Sequence, residues 1–179
     1  MIRTWTPESD TPTQTDAMDY RTVKEWFRKL RGLAEAVDIQ REKMIRQRDA
    51  ATRVTQSFTG MPMTAGNGDK VLNAVCKMDG ENRELSRMKN ELKTYRMEAI
   101  SRVFCIVSPE DDRSLRMADA LRAYYIECET VDKNGYFKLK TYEDVARELE
   151  VSTSTVSESI REGLEVLSEI WQDISEGCA

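Results

Sequence analysis

The sequence predicts an all-α fold: a long antiparallel, coiled-coil-like helical hairpin followed by a small helix-turn-helix domain. Three observations point there. Of 179 residues, 33% are charged while only 8 are Gly and 4 are Pro, a composition rich in helix formers and poor in breakers. Apolar residues recur every seven positions along two stretches of nearly equal length. Near the C-terminus, two amphipathic segments meet at a three-residue turn.

The same composition removes several classes of function. Histidine is absent, which takes away the usual general base and the commonest metal ligand. Cys76, Cys105, Cys128 and Cys178 lie far apart without a CxxC pair, so the thiols are expected to be reduced, with no metal and no cofactor. No apolar run approaches the roughly 20 residues of a membrane span, and the N-terminus is polar and acidic rather than signal-like. A cytoplasmic binding or regulatory protein, not an enzyme, is the expectation.

Residues 1–19 hold Pro7, Pro12 and five Thr without apolar periodicity, which predicts a flexible tail. Trp5 is its one bulky aromatic and could instead anchor a short docking peptide. From Tyr20 to about Ser57, Val23, Leu30, Val37, Met44, Ala51 and Phe58 repeat every seven residues, and Trp26, Leu33, Gln40, Gln47 and Val54 stand three further on. This is an a/d seam with two Gln at d. So long a helix cannot bury its stripe alone and needs a partner.

Residues 59–69 (TGMPMTAGNGD) hold one Pro and three Gly, which stops the helix and turns the chain. A second periodic segment runs from about Lys70 to Val107. Val71, Met78, Leu85, Leu92, Ala99 and Ile106 repeat every seven, flanked by Val75, Met88, Tyr95 and Val103. Residues 20–107 thus read as a helical hairpin. Polar seam residues such as Gln40, Gln47 and Asn82 fix register, and homo-oligomerisation is expected through Val23, Trp26, Leu30, Leu33, Val37, Met44, Leu85 and Leu92.

Residues 108–179 read as a second domain. Ser108-Pro109-Glu110-Asp111 predicts a helix over about 109–127, with Ser108 as N-cap and Leu115, Ala118, Leu121 and Tyr125 on one face. At 128–140, Asn134-Gly135 lies between Thr130-Val131 and Tyr136-Phe137-Lys138-Leu139, which suits a small β-hairpin or a surface loop. Thr141 and Asp144 then form a capping box for a short helix with Val145, Ala146 and Leu149 inward. Glu150-Val151-Ser152 makes the turn, and Ser152 caps a second helix whose inward residues are Val156, Ile160, Leu164 and Leu167. Two helices on such a turn make a helix-turn-helix, with Ala146 leaving room for the crossing and Val151 plugging the space between. Glu150 departs from the glycine usual at this turn.

The order LRAYYIE, then TYEDVARELEVSTSTVSESIREGLEVL, resembles region four of bacterial sigma factors over about 115–170. With the charged N-terminal hairpin and its loop FTGMPMTAGNGDKV, the chain is similar to phage sigma-like regulators of the RinA and ArpU late-transcription kind. The resemblance implies double-stranded DNA and host RNA polymerase as partners, in the cytoplasm of a bacterial host. It also implies that Ser152, Thr153, Ser154, Ser157, Glu158 and Arg161 face the major groove. There hydroxyls reach phosphates or bases, Arg161 forks onto guanine or phosphate, and Glu158 accepts from cytosine. The insertion at 128–140 departs from the compact family pattern.

Charge complicates this expectation. Residues 20–107 carry net +7 and residues 141–179 net −8, although duplex affinity rests on neutralising phosphates. The phosphate contacts are therefore expected from Lys133, Lys138 and Lys140 beside the motif, from the basic run Arg41, Lys43, Arg46, Arg48 and Arg53, or through recruitment by polymerase. Two other functions use the same parts. One is a coiled-coil adaptor or inhibitor whose acidic helix-turn-helix docks a protein. The other is a small terminase-like DNA-packaging subunit, in which the reader usually precedes the oligomer; here it follows.

Overall fold

A computed structural model describes residues 18–56, 67–132 and 136–177. The expectations for Trp5 and the tail, Phe58, most of the inter-helix loop, Lys133, Asn134-Gly135 and Cys178 fall outside those residues. So do those for the side chains of Ala51, Arg53, Val54 and Val71.

The protein is all-α, with a long helical hairpin. α1 (Tyr20–Gln56) and α2 (Asn67–Phe104) run antiparallel. Lys29 of α1 meets Tyr95 of α2, and fourteen residues along α1 and fourteen back along α2 Lys43 meets Glu81. The Gln47 amide donates to the same Glu81 at 3.1 Å. Hydrogen bonds from Gln47 and Lys43 hold the Glu81 carboxyl below its ordinary range, so this polar seam position is an ionic register mark.

The buried stripe of α1 is Val23, Phe27, Leu30 and Ala34, the a and e positions, while Trp26, Leu33 and Val37 of the expected seam are partly buried. The shift has a physical cause: this half of α1 packs on α5 (Thr153–Gly177) and on the turn that ends α3 (Asp112–Leu121) as well as on α2, so its apolar face is wider than a two-stranded seam. Among the described residues, the core takes α1 residues only as far as Val37 and α2 residues only from Leu92. Farther out, Leu85 is buried while Met44 and Met78 are half-buried. Val23, Leu30 and Leu92, expected at a contact between copies, are thus covered by this chain's own elements.

α3 (Asp112–Leu121) begins later than expected. Asp111, not Ser108, is the N-cap, accepting from the backbone N–H groups of Arg113 and Ser114 at 3.0 and 3.2 Å. Asp is a cap as good as Ser, and the buried Ser114 hydroxyl occupies Ser108, accepting from its N–H at 2.9 Å. Met117, Ala118, Ala120 and Leu121 face inward; Leu115, expected inward, is exposed. α3 ends in a π-helical turn, Arg122–Ile126, closed by the Glu127 N–H on the Arg122 carbonyl at 2.8 Å.

β1 (Glu129–Val131) and β2 (Phe137–Leu139) form the antiparallel hairpin, with Glu129 opposite Leu139. Arg31 of α1 fastens it. The guanidinium donates to the Tyr124 carbonyl at 2.8 Å and to the Lys140 carbonyl, and lies 4.0 Å above the Tyr124 ring. α4 (Tyr142–Glu148) and α5 (Thr153–Gly177) complete the chain. A single buried cluster runs from Val23 to Trp171, across the expected boundary at 107/108. No helix among the described residues is long and apolar enough to cross a membrane.

Candidate nucleic-acid interface

The helix-turn-helix assembles as its residue types require. Thr141 Oγ1 accepts from the Asp144 N–H at 3.3 Å while an Asp144 carboxylate oxygen accepts from the Thr141 N–H at 2.9 Å, the reciprocal capping box. Lys138 of β2 adds an ion pair at 2.8 Å, and these hydrogen bonds hold the Asp144 carboxyl well below the usual carboxylate range. α4 closes on Leu149; Glu150 follows at φ 56°. The Val151 N–H reaches back to the Ala146 carbonyl at 3.0 Å. This is the Schellman arrangement, whose left-handed residue is ordinarily glycine. Ser152 then caps α5, its Oγ accepting from the Thr155 N–H at 3.1 Å and lying 2.7 Å from the Ser154 hydroxyl.

Inside, Val145, Ala146, Val156, Ile160, Leu164 and Leu167 are buried and Val151 packs against them, as the spacing predicts. Gly163 marks the crossing with α3: a Cβ there would stand 2.7 Å from Leu121 Cδ1 and 3.4 Å from Met117 Cβ. α5 then runs on to bury Trp171 beside Trp26 and Phe27, at ring separations of 5.4 and 6.4 Å. The Arg102 guanidinium covers the Trp171 ring at 3.8 Å. α5 is therefore held by its far end on the hairpin. Phe27, Arg31, Arg102, Gly163 and Trp171 escaped the sequence reading because only the fold brings them together.

Outside, Ser152, Thr153, Ser154, Ser157, Glu158 and Arg161 are all exposed along the first two turns of α5. Ser152 spends its oxygen on capping and shares a hydrogen bond with the Ser154 hydroxyl, which leaves Thr153 and Ser157 as the hydroxyls outside the cap. Arg161 pairs with Glu165 at 2.8 Å, a one-turn surface pair worth only ~0.5 kcal/mol and easily exchanged for a phosphate. The two lysines of β2 and its end are differently placed. Lys138 pairs with Asp144, and Lys140 pairs with Glu148 at 2.6 Å with only 12% of its side chain exposed. Both brace the hairpin against α4.

A cation missed in the sequence borders the turn of the motif. Arg116 of α3 borders the same small groove as Leu149, Val151 and Thr155 and is exposed. Its neighbour one turn earlier, Arg113, grips Glu162 at 2.7 Å. Its hydrogen bonds hold that carboxyl below its ordinary range. The only sequence signal was the spacing of Arg113 and Arg116, one turn apart on a scaffold helix. Part of the −8 is also met internally: Asp144, Glu148 and Glu162 each pair with a cation from residues 108–140. No protein-family model, no curated protein and no solved structure matches the chain.

Proposed function

We propose that the chain is a sequence-specific DNA-binding transcription regulator of the phage sigma-like kind, acting at promoters with the RNA polymerase of a bacterial host. One observation carries the reading: a capped two-helix unit on a three-residue turn leaves Thr153, Ser154, Ser157, Glu158 and Arg161 exposed together on the leading turns of α5. A helix presented by its N-terminal turns is the part that enters a major groove. Short hydroxyls, one carboxylate and one guanidinium can read base edges there, and Arg116 and Arg147, both exposed beside the turn, supply phosphate contacts. The acidic surround makes unaided binding weak and gives polymerase a role in recruitment.

A second reading, an adaptor that docks a protein through the same unit, is favoured by the internal pairing of Lys138, Lys140 and Arg161. Selection of bound fragments from the genome that encodes the chain, with and without polymerase, separates the two. The regulator enriches a defined sequence class, and Ser157→Ala with Arg161→Ala abolishes the enrichment. Absence of any enrichment at low salt, alone or with polymerase, refutes DNA reading.

A further inference from the structure

Among the described residues, an apolar face of α2 is left uncovered near its C-terminal end. Met97, Ile100 and Phe104 are 61%, 46% and 75% exposed, and their spacing of three and four places them, with Lys93, on one helical face. Taking roughly 200 Å² for each fully exposed side chain, they present about 360 Å² of apolar surface, in the range of the largest, often functional, patch on a monomer.

A groove lies on each side of Ile100. One, of about 470 Å³, is floored by Val37, Leu92, Met97, Ile100 and Phe137. The other, of about 150 Å³, is lined by Ile100, Val103, Phe104, Val107 and Ala118. Knobs and hollows therefore alternate along one helix with Ile100 between them.

We infer that this face of α2 is a homodimer interface, in which two copies pack α2 against α2 antiparallel about a twofold axis at Ile100. That register is set by the patch itself. Four residues beyond the axis, Phe104 comes level with Arg96 and Met97 of the second copy, over its larger groove; Met97 comes level with Val103, over the smaller one. A twofold contact needs such self-complementarity, the same patch supplying both knob and hollow.

Charge agrees with the register. Around the larger groove Arg96 and Glu129 pair with each other, which leaves Arg41, Lys89 and Lys93 against Asp38; at the smaller, Arg122 pairs with Glu127, which leaves Asp119, and the exposed Glu110 and Asp112 follow the end of α2. Antiparallel pairing sets each basic end against an acidic one, whereas parallel pairing would set like against like. None of Lys89, Lys93, Asp112 and Asp119 forms a salt bridge among the described residues. The patch falls short of the ~800 Å² per partner of a standard interface, so the grooves and charged rims must supply the rest and affinity should be micromolar. The inference is independent of what the helix-turn-helix binds.

Sedimentation equilibrium of the full chain from about 1 to 200 μM tests it. The wild type should pass from monomer to dimer. Phe104→Glu should raise the dissociation constant at least about tenfold, with an unchanged helical circular dichroism spectrum because the side chain is exposed. In a Cys105→Ser background, Ile100→Cys should oxidise to a dimer whose bridge maps to position 100, since helices packed about 8–10 Å apart bring axial residues within disulfide reach. A monomer at all concentrations, a dimer indifferent to Phe104→Glu, or bridges only at other cysteines overturns the inference.

Discussion

Trp171→Ala is the perturbation that most sharply separates one shared core from two independent units. Trp171 is 5% exposed, lies against Trp26 and Phe27, and is capped by Arg102. Burying about 200–250 Å² of indole at ~25 cal/mol/Å² contributes at most ~5–6 kcal/mol, and a compact denatured state lowers this by 10–40%. Loss of the cation–π contact adds ~1 kcal/mol, and partial collapse of the cavity returns some of it. The expected loss is ~3–5 kcal/mol, or roughly a 10 °C fall in melting temperature for a chain of this length. Urea titration followed by circular dichroism at 222 nm reads it, and the variant should still melt in one transition. A loss below ~1 kcal/mol refutes the shared core, as does a second transition that the substitution leaves in place.

Four further outcomes follow from the same contacts. Glu150→Gly should stabilise the protein by ~0.5–1 kcal/mol, because relief of the left-handed strain exceeds the extra backbone entropy of glycine; thermal denaturation checks it. Gly163→Val should cost ~2–3 kcal/mol by overpacking against Leu121, read by the same melt. Arg31→Ala removes a two-carbonyl clasp and should cost ~2–4 kcal/mol, with Arg31→Lys restoring little because an ammonium cannot fork; urea unfolding measures both. Asp144→Asn should show its full deficit near neutral pH and converge on the wild type as pH falls below about 4. The Asp144 carboxyl is depressed in the folded state, so its contribution is present above the unfolded pKa and lost on protonation. Paired melts across pH test that sign.

The local parts of the fold were legible because local chemistry decides them. Thr141 with Asp144 and Ser152 with Thr155 satisfy orphan donors within one turn, and such pairs are visible as spacing. The heptads of α1 and α2 revealed the hairpin for the same reason. What the spacing could not carry was partner number. Phe27 and Ala34, at e positions, are buried because α1 faces α5 as well as α2, and Trp171 continues the inward stripe of Ile160, Leu164 and Leu167, but its aromatic partners Trp26 and Phe27 are set only by the fold. Ser108 lost its expected cap to Asp111 because Ser114 turned its hydroxyl onto Ser108. At the candidate interface, the inward face of α5 followed from periodicity, whereas the proximity of Arg116 to Val151 and Thr155 is a tertiary fact. The acidity of residues 141–179 was likewise overstated by division of the sequence, since their carboxylates reach back to Lys138, Lys140 and Arg113.

The central proposal is that the leading turns of α5 read base sequence. Its most direct test is the ratio of affinities for a selected DNA site and a scrambled one, measured by fluorescence anisotropy at matched salt for the wild type and for Ser157→Ala/Arg161→Ala. Loss of contacts to base edges should lower that ratio about tenfold to a hundredfold while affinity for the scrambled duplex changes little. A ratio that the substitutions leave unchanged would contradict it.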